Sequence, residues 1–320
     1  MKKRFFIILI SYIILTLCVI GIIKIFSNET ENNDEKIQIT VTLFPEYDFA
    51  QKIGGDKVEI LLLLNSGVDI HSYEPSVKDM KNISDSDIFI YTSESTEPWA
   101  ESIIDGLENE IKVVKAAENI ELINLDEFSK NYNALSNENH EHNEDAEEYE
   151  YDGHVWLDPQ NAIIMIDNIC ESLCEFDPAN SEYYIQNAES YKIEIEELDN
   201  KIEEKIASLE NKVLVFGGEF AYSYFIKRYN LKYVSVYSSC GEESEPSVSE
   251  VKEVIDYINQ NNIKKIFYEE LSEGTVAKMI SEETNAESSI FYTLHNISSE
   301  EIENGEDYIS YMKKNLEVLF

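Results

Sequence analysis

Five histidines stand out in this 320-residue chain: His71 in HSYEP, His140 and His142 in NHEHNE, His154 in YDGHVWLDP and His295 in TLHNIS. None lies in an ordinary apolar stripe. A neutral imidazole offers a nitrogen lone pair at ordinary pH, which makes histidine the commonest transition-metal ligand. Placed this way among 64 acidic and 25 basic residues, they point to a divalent cation. His71, His154 and His295 are 83 and 141 residues apart, so no local motif joins them and only the fold can bring them to one ion. His140 and His142 are different: a local pair beside carboxylates, able to catch an ion weakly. Their bland alternative is an acidic linker with two incidental histidines.

The elements that must carry these residues can be read from periodicity. Residues 37–43 (IQITVTL) alternate apolar and polar, the mark of a half-buried strand; Pro45 ends it, and EYDFAQKIGG is a short helix capped by Gly54 and Gly55. VEILLLL (58–64) is the continuous apolar run of a strand buried on both faces. After the loop holding His71 come a short helix with Ser76 as N-cap, a strand at 88–91, a helix opening on PW and a strand at 111–116. Residues 129–153 carry eight acidic residues and almost no aliphatic ones, which predicts a disordered loop. In 183–211, Tyr191, Ile195, Leu198, Ile202, Ile206 and Leu209 recur at intervals of three and four, predicting one long one-sided helix. The second half alternates again: strands at 213–216, 232–237, 263–268 and 289–292, with helices between them and a closing helix. No repeat of fixed period is present. The expected class is α/β: two lobes, each a parallel sheet flanked by helices, joined by a long rigid helix. The lobes are assigned to 37–182 and 212–320.

In open α/β sheets ligands bind beyond the carboxyl ends of the strands. His71 follows the strand 58–64 and His295 the strand 289–292; Glu219 follows 213–216, and Glu269 with Glu270 follows 263–268. For any one position a structural role is the stronger reading. Four strand ends that all present imidazole or carboxylate reverse that reading in favour of a metal site between two lobes.

The ends and the bulk set limits. Met1–Arg4 is cationic, and Phe5 to Ile23 is an uncharged, mostly apolar run just long enough to cross a bilayer. The positive-inside rule then exports the remainder of the chain, leaving residues 1–26 as a signal or membrane anchor and 27–36 as a tether. A cleaved signal, a retained anchor and lipidation at Cys18 stay open, since Leu17 stands where lipoprotein signals want a small residue. A net charge of −39 argues against nucleic acid and against anionic lipid surfaces. Cys170 and Cys174 share a helical face as buried thiols, Cys240 is isolated, and no disulfide framework is implied.

The stretch 37–99, from IQITVTLFPEYDF through HSYEPSVKDM to TEPW, resembles the zinc- and manganese-binding solute receptors of ABC importers. GHVWLDPQNA is similar to that family's second histidine motif, and the loop before it resembles the His- and acid-rich loop of its zinc-specific members. KRYNLKYVSVY, ESEPS and FYEELS are similar too, so the likeness runs from about residue 37 to the C-terminus. It implies a tethered extracytoplasmic monomer that is not an enzyme and delivers Zn²⁺, or alternatively Mn²⁺ or iron, to an ABC permease. Two departures are visible. GGEFAYSYF puts Glu219 where the family has a third histidine, and Tyr292 stands where it has a carboxylate, with His295 three residues on. A compensated cage of His71, His154, Glu219 and His295 is therefore expected, with Glu269 and Glu270 as further candidates and His140 and His142 as auxiliary ligands. Three nitrogens and one oxygen suit tetrahedral Zn²⁺; more carboxylates would suit Mn²⁺ or Fe²⁺. The rivals are a metal-dependent hydrolase, for which the chain offers neither HExxH nor a nucleophile elbow, and a surface adhesin.

Overall fold

Strand β1 (Ile37–Val41) lies inside a four-stranded parallel sheet of order β2-β1-β3-β4, with β2 at Val58–Leu62, β3 at Ile88–Tyr91 and β4 at Lys112–Lys115. This computed structural model describes residues 36–64, 66–68, 70–107, 109–135, 150–237, 246–270, 272–295 and 297–319. A second parallel sheet has order β10-β9-β7-β8, from β7 (Val213–Phe216), β8 (Lys232–Ser235), β9 (Lys265–Tyr268) and β10 (Glu287–Ile290). In the first sheet the order of build reverses between β1 and β3, and in the second between β7 and β9. Each reversal opens a crevice at the strand ends.

Helices follow from caps and stripes. Helix α1 (Phe44–Gly54) starts on Pro45, and α2 (Val77–Ser84) is closed by a capping box in which Ser76 and Asp79 exchange bonds. Then come α3 (Ala100–Asp105), α4 (Leu125–Tyr132), α5 (Pro159–Phe176) and α6 (Ser181–Ala207). Helix α6 is about 40 Å long at 1.5 Å per residue. It buries Tyr184, Ala188, Tyr191, Ile195, Leu198, Ile202 and Ile206 against α1, α5 and the last helix. The remaining helices are α7 (Ser223–Arg228), α8 (Val248–Asn261), α9 (Thr275–Glu283), α10 (Ser299–Glu303) and α11 (Tyr308–Val318). One large apolar core runs from Ile37 to Leu319 and includes residues of both sheets; a smaller one, with Val215, Val234, Ile258, Ile266 and Ile280, fills the far side of the second sheet. Residues Ile37–Phe320 form one compact unit.

Several expected boundaries shift. The last strand is Glu287–Ile290 rather than 289–292, because the register with β9 pairs Glu287 with Lys265 and uses the polar ESSI, not the apolar SIFY. The expected loop 129–153 begins with the last turn of α4 and ends with Tyr151–Asp152, strand β6, antiparallel to β5 (Ile123–Asn124). The long helix is Ser181–Ala207, so Leu209 of the 183–211 stripe lies past its end. Cys170 is buried, Cys174 half-buried, and both are free thiols. The readings placed on residues 1–35, on His140 and His142 and on Cys240 fall outside the described residues. Among the described residues no helix is long and apolar enough to cross a membrane.

Helix α6 reaches the second sheet through Asp199, whose carboxylate pairs with Arg228 and accepts bonds from Tyr229 Oη (2.8 Å) and Gln160 Nε2 (2.8 Å). Its packing can be tested with two isoleucines on opposite faces. Ile195 is fully buried and Ile193 is 55% exposed. Ile195→Ala is expected to lower unfolding free energy by about 2–4 kcal/mol, and Ile193→Ala by no more than about 0.5 kcal/mol, in urea titrations.

Candidate metal centre

His71, His154 and His295 are brought together: their nearest ring nitrogens all lie within 4.8 Å of one another, the one such group of three or more His, Cys, Asp or Glu among the described residues. Ring centroids are 5.6 Å apart for His71 and His154, 6.2 Å for His71 and His295, and 4.7 Å for His154 and His295. His71 stands half-buried in the β2–α2 loop; His154 and His295 are buried. The Trp156 indole forms a wall, edge-on to both His154 (5.6 Å) and His295 (5.8 Å). It is fixed because its Nε1 donates to the Thr293 carbonyl (2.8 Å) and its own carbonyl accepts from Tyr308 Oη (2.8 Å).

Each buried imidazole is oriented from its far nitrogen. His154 Nδ1 lies 2.5 Å from Asp152 Oδ1, which also accepts the His154 N–H (2.9 Å). Burial works against the Asp152 charge, but the neighbouring His154 and these bonds hold its carboxyl below the usual range. An ionised Asp152 makes Nδ1 the donor and leaves the Nε2 lone pair facing inward. His295 Nδ1 lies 3.0 Å from Thr293 Oγ1, whose single hydrogen goes to Glu270 Oε1 (2.9 Å); Nδ1–H must therefore donate to Oγ1. Nε2 of both His154 and His295 is buried and makes no hydrogen bond among the described residues. Two buried nitrogen lone pairs aimed into one space are what a metal ion needs and what water-free packing otherwise penalises.

The loop to His295 is strained. Leu294 adopts φ 62°, a left-handed conformation that a bulky side chain rarely takes. Glu270 holds it there, because its carboxylate accepts the N–H of Thr293 (2.8 Å) and of Leu294 (3.0 Å) in addition to the Thr293 hydroxyl. Such an outlier costs about 1–3 kcal/mol and persists where its surroundings over-determine it.

Glu219, Glu269 and Glu270 are not in the three-imidazole group. Glu270 is spent on the 293–294 backbone. Glu269 is buried against Gly218, where a Cβ would stand 2.0 Å from its Oε2, and burial, with the nearby Glu219 charge adding to it, raises its pKa. Sequence reasoning missed Asp152, Thr293 and Trp156 as the groups that aim the rings. Asp152 was findable, since YDGH sets a carboxylate two residues before the histidine; Thr293, also two before its histidine, gave no signal that set it apart.

Two parallel-sheet lobes with imidazoles gathered at their boundary define the solute-receptor class of α/β proteins. The chain belongs to the ZnuA family: the model for zinc-uptake complex component A, periplasmic, matches residues 39–320. It is 31% identical over 311 residues to the zinc-binding lipoprotein AdcA of Streptococcus pneumoniae, a match that covers 97% of this chain but only 60% of that relative. It is 30% identical over 290 residues to the high-affinity zinc uptake system protein ZnuA of Bacillus subtilis, covering 90% and 88% of the two chains. The crystal structure of the Zn(II)-bound ZnuA-like domain of S. pneumoniae AdcA superposes with a TM-score of 0.73 at 30% identity, over 89% of this chain and 97% of that one.

Burial, followed by the charges of His154 and His71, lowers the His295 pKa well below 6.5. The unfolded chain then binds a proton below pH 6.5 that the folded chain refuses, so apoprotein stability falls as pH drops through that value. The slope from this residue is about 1.4 kcal/mol per pH unit. His295→Gln is expected to flatten that acid limb in denaturant titrations between pH 6.5 and 5.

Proposed function

We propose that the protein is an extracytoplasmic Zn²⁺ receptor that delivers its cargo to an ABC permease. The observation that carries this reading is the convergence of three imidazole donors, two of them buried with inward lone pairs. Nitrogen donors favour Zn²⁺ over Mn²⁺, which prefers oxygen, and a d¹⁰ ion accepts the geometry that three rings impose. Zinc binding and zinc uptake in the names of the relatives support the same reading. The ion sits between the jaws 37–182 and 212–320, and the stiff helix between them limits opening to a tilt. Residues 1–26 hold the protein at the outer face of the membrane, and His140 and His142 serve as auxiliary ligands that catch ions weakly. The site binds its metal as cargo.

Elemental analysis of protein purified without added metal, followed by competition between Zn²⁺ and Mn²⁺, tests the assignment; one tightly held zinc per chain that manganese does not displace is the expected result. His154→Ala and His295→Ala should each weaken zinc at least about 100-fold, and Asp152→Asn about 10–100-fold through ring orientation. Glu219→Ala should change affinity by less than about threefold, since it leaves all three nitrogens in place. Equal losses in Glu219→Ala and His295→Ala would restore the carboxylate to the cage.

A further inference from the structure

We propose that Glu46 and Glu97 hold one proton between them through Thr92, and that this buried acid pair positions the loops against which His154 and His295 rest. The inference depends on reading the three imidazoles as the zinc seat.

The hydrogen count at Thr92 points to the proton. Thr92 Oγ1 lies 2.5 Å from Glu46 Oε1 and 3.2 Å from Glu97 Oε1. Its hydroxyl carries one hydrogen, and two ionised carboxylates would both be acceptors. One contact is therefore a carboxylic O–H donating to Oγ1. Glu97 accepts at its other contacts: the Thr42 hydroxyl (2.5 Å) and Thr92 N–H (3.3 Å) on Oε1, and the Ser93 N–H (3.1 Å) on Oε2. Glu46 Oε2 is buried without a hydrogen-bond partner among the described residues. Burial pushes both carboxyls up, and the charge of Glu46 raises Glu97 further, so the pair keeps a proton well above the usual carboxylate range. Around the pair stand Tyr91 on β3, which donates to Glu94, and Glu101 on α3; the Lys115 charge on β4 is taken by Glu94. No lysine or arginine among the described residues bonds to either acid.

The pair lies behind the site. Thr42 is in the turn between β1 and α1, where the Phe44 N–H donates to the His295 carbonyl (3.2 Å). Ser93 Oγ meets Thr96 Oγ1 (3.1 Å), which donates to the Gly153 carbonyl (3.2 Å), one residue before His154. The fit there is close: a Cβ on Gly153 would stand 2.6 Å from Thr96 Oγ1. Loss of the last proton sets two buried negative charges against one hydroxyl and forces these two turns apart.

The sign is set by the two states' proton affinities. Glutamate in the unfolded chain loses its proton near 4.5, while the folded pair keeps one to about pH 8, so folded protein binds more protons in that window and stability falls as pH rises through it. In Glu46→Gln the amide N–H donates to Thr92 as the acid does and has no proton to lose. In Glu97→Gln either amide orientation opposes Thr92 N–H or Ser93 N–H.

The experiment uses the full chain. Glu46→Gln should match wild-type zinc affinity within about twofold at pH 6.5 and exceed it by about tenfold at pH 9, and its apoprotein stability should vary less between pH 5 and 8. Glu97→Gln should bind zinc more weakly at every pH. Infrared difference spectra of wild type against Glu46→Gln should show the carbonyl stretch of a protonated carboxylic acid in the wild type alone. Absence of that band, or a cation found at the pair by elemental analysis, overturns the shared proton. A band with parallel affinity profiles overturns the positioning role. A wild type that binds no zinc at any pH refutes the receptor reading instead, while the infrared and apoprotein measurements still decide the proton.

Discussion

Two imidazoles taken out of water with their lone pairs turned into one space, beside the half-buried ring of His71, are the constraint on which the rest of the structure depends. An isolated buried imidazole can trade its water for a hydrogen bond; His154 and His295 have done so at Nδ1 but not at Nε2. Protonation does not relieve the strain, because a charge on one ring would face the other two in a low-dielectric space, and the His295 pKa is lowered for that reason after burial itself. What satisfies the two buried Nε2 atoms at once is a cation. The apo arrangement is therefore held by its surroundings, and the binding energy of the ion is spent on little reorganisation.

Those surroundings are distributed over the whole chain. The bonds that set the rings cross from one lobe to the other: Trp156 to the Thr293 carbonyl, Tyr308 to the Trp156 carbonyl, Tyr224 to the Asp152 carbonyl (3.0 Å), and Phe44 N–H to His295. A left-handed Leu294 is tolerable only because Glu270 accepts from both peptide groups beside it. Each sheet has its own switch point, and the loops beyond the strand ends bring residues 71, 154 and 295 together. Helix α6 then makes the separation of the lobes a property of one rigid element, tied at Asp48 by Tyr191 (2.5 Å) and at Asp199 by Arg228.

Much of this could be read from residue order. Apolar runs and period-two and period-3.6 patterns marked every strand of both parallel sheets but β10, and the stripe of α6, since those patterns are what burial on one or two faces demands. The three histidines could be singled out because imidazole is scarce here and each falls beyond an expected strand or at a loop boundary. The pattern failed where backbone pairing outranked side-chain character, as in ESSI, a polar strand registered on β9 in place of the apolar SIFY. Strand-end position alone also left the roles of Glu219, Glu269 and Glu270 open. A carboxylate at a strand end is chemically equal to a ligand, and only the fold shows that Glu270 is consumed by two peptide N–H groups and a hydroxyl. Asp152, two residues from its histidine, was within reach of spacing alone; the Glu46–Thr92–Glu97 chain, drawn from a helix and a distant turn, was not.

Among the described residues no carboxylate lies in the imidazole group, which bears on how a cation would be held there. A dication beside a coordinating carboxylate gains a direct charge–charge attraction that grows steeply at short range and low dielectric. Here the compensating charge stands one ring away, on Asp152, and one hydroxyl away, on Glu270. The imidazoles supply geometry and selectivity while the negative charge acts through them, so the ion is held firmly only while the rings keep their tilt. The Trp156–Thr293 bond is one of those that cross between the lobes and fix that tilt. The same cross-lobe bonds that assemble the cage therefore set how firmly it can hold an ion.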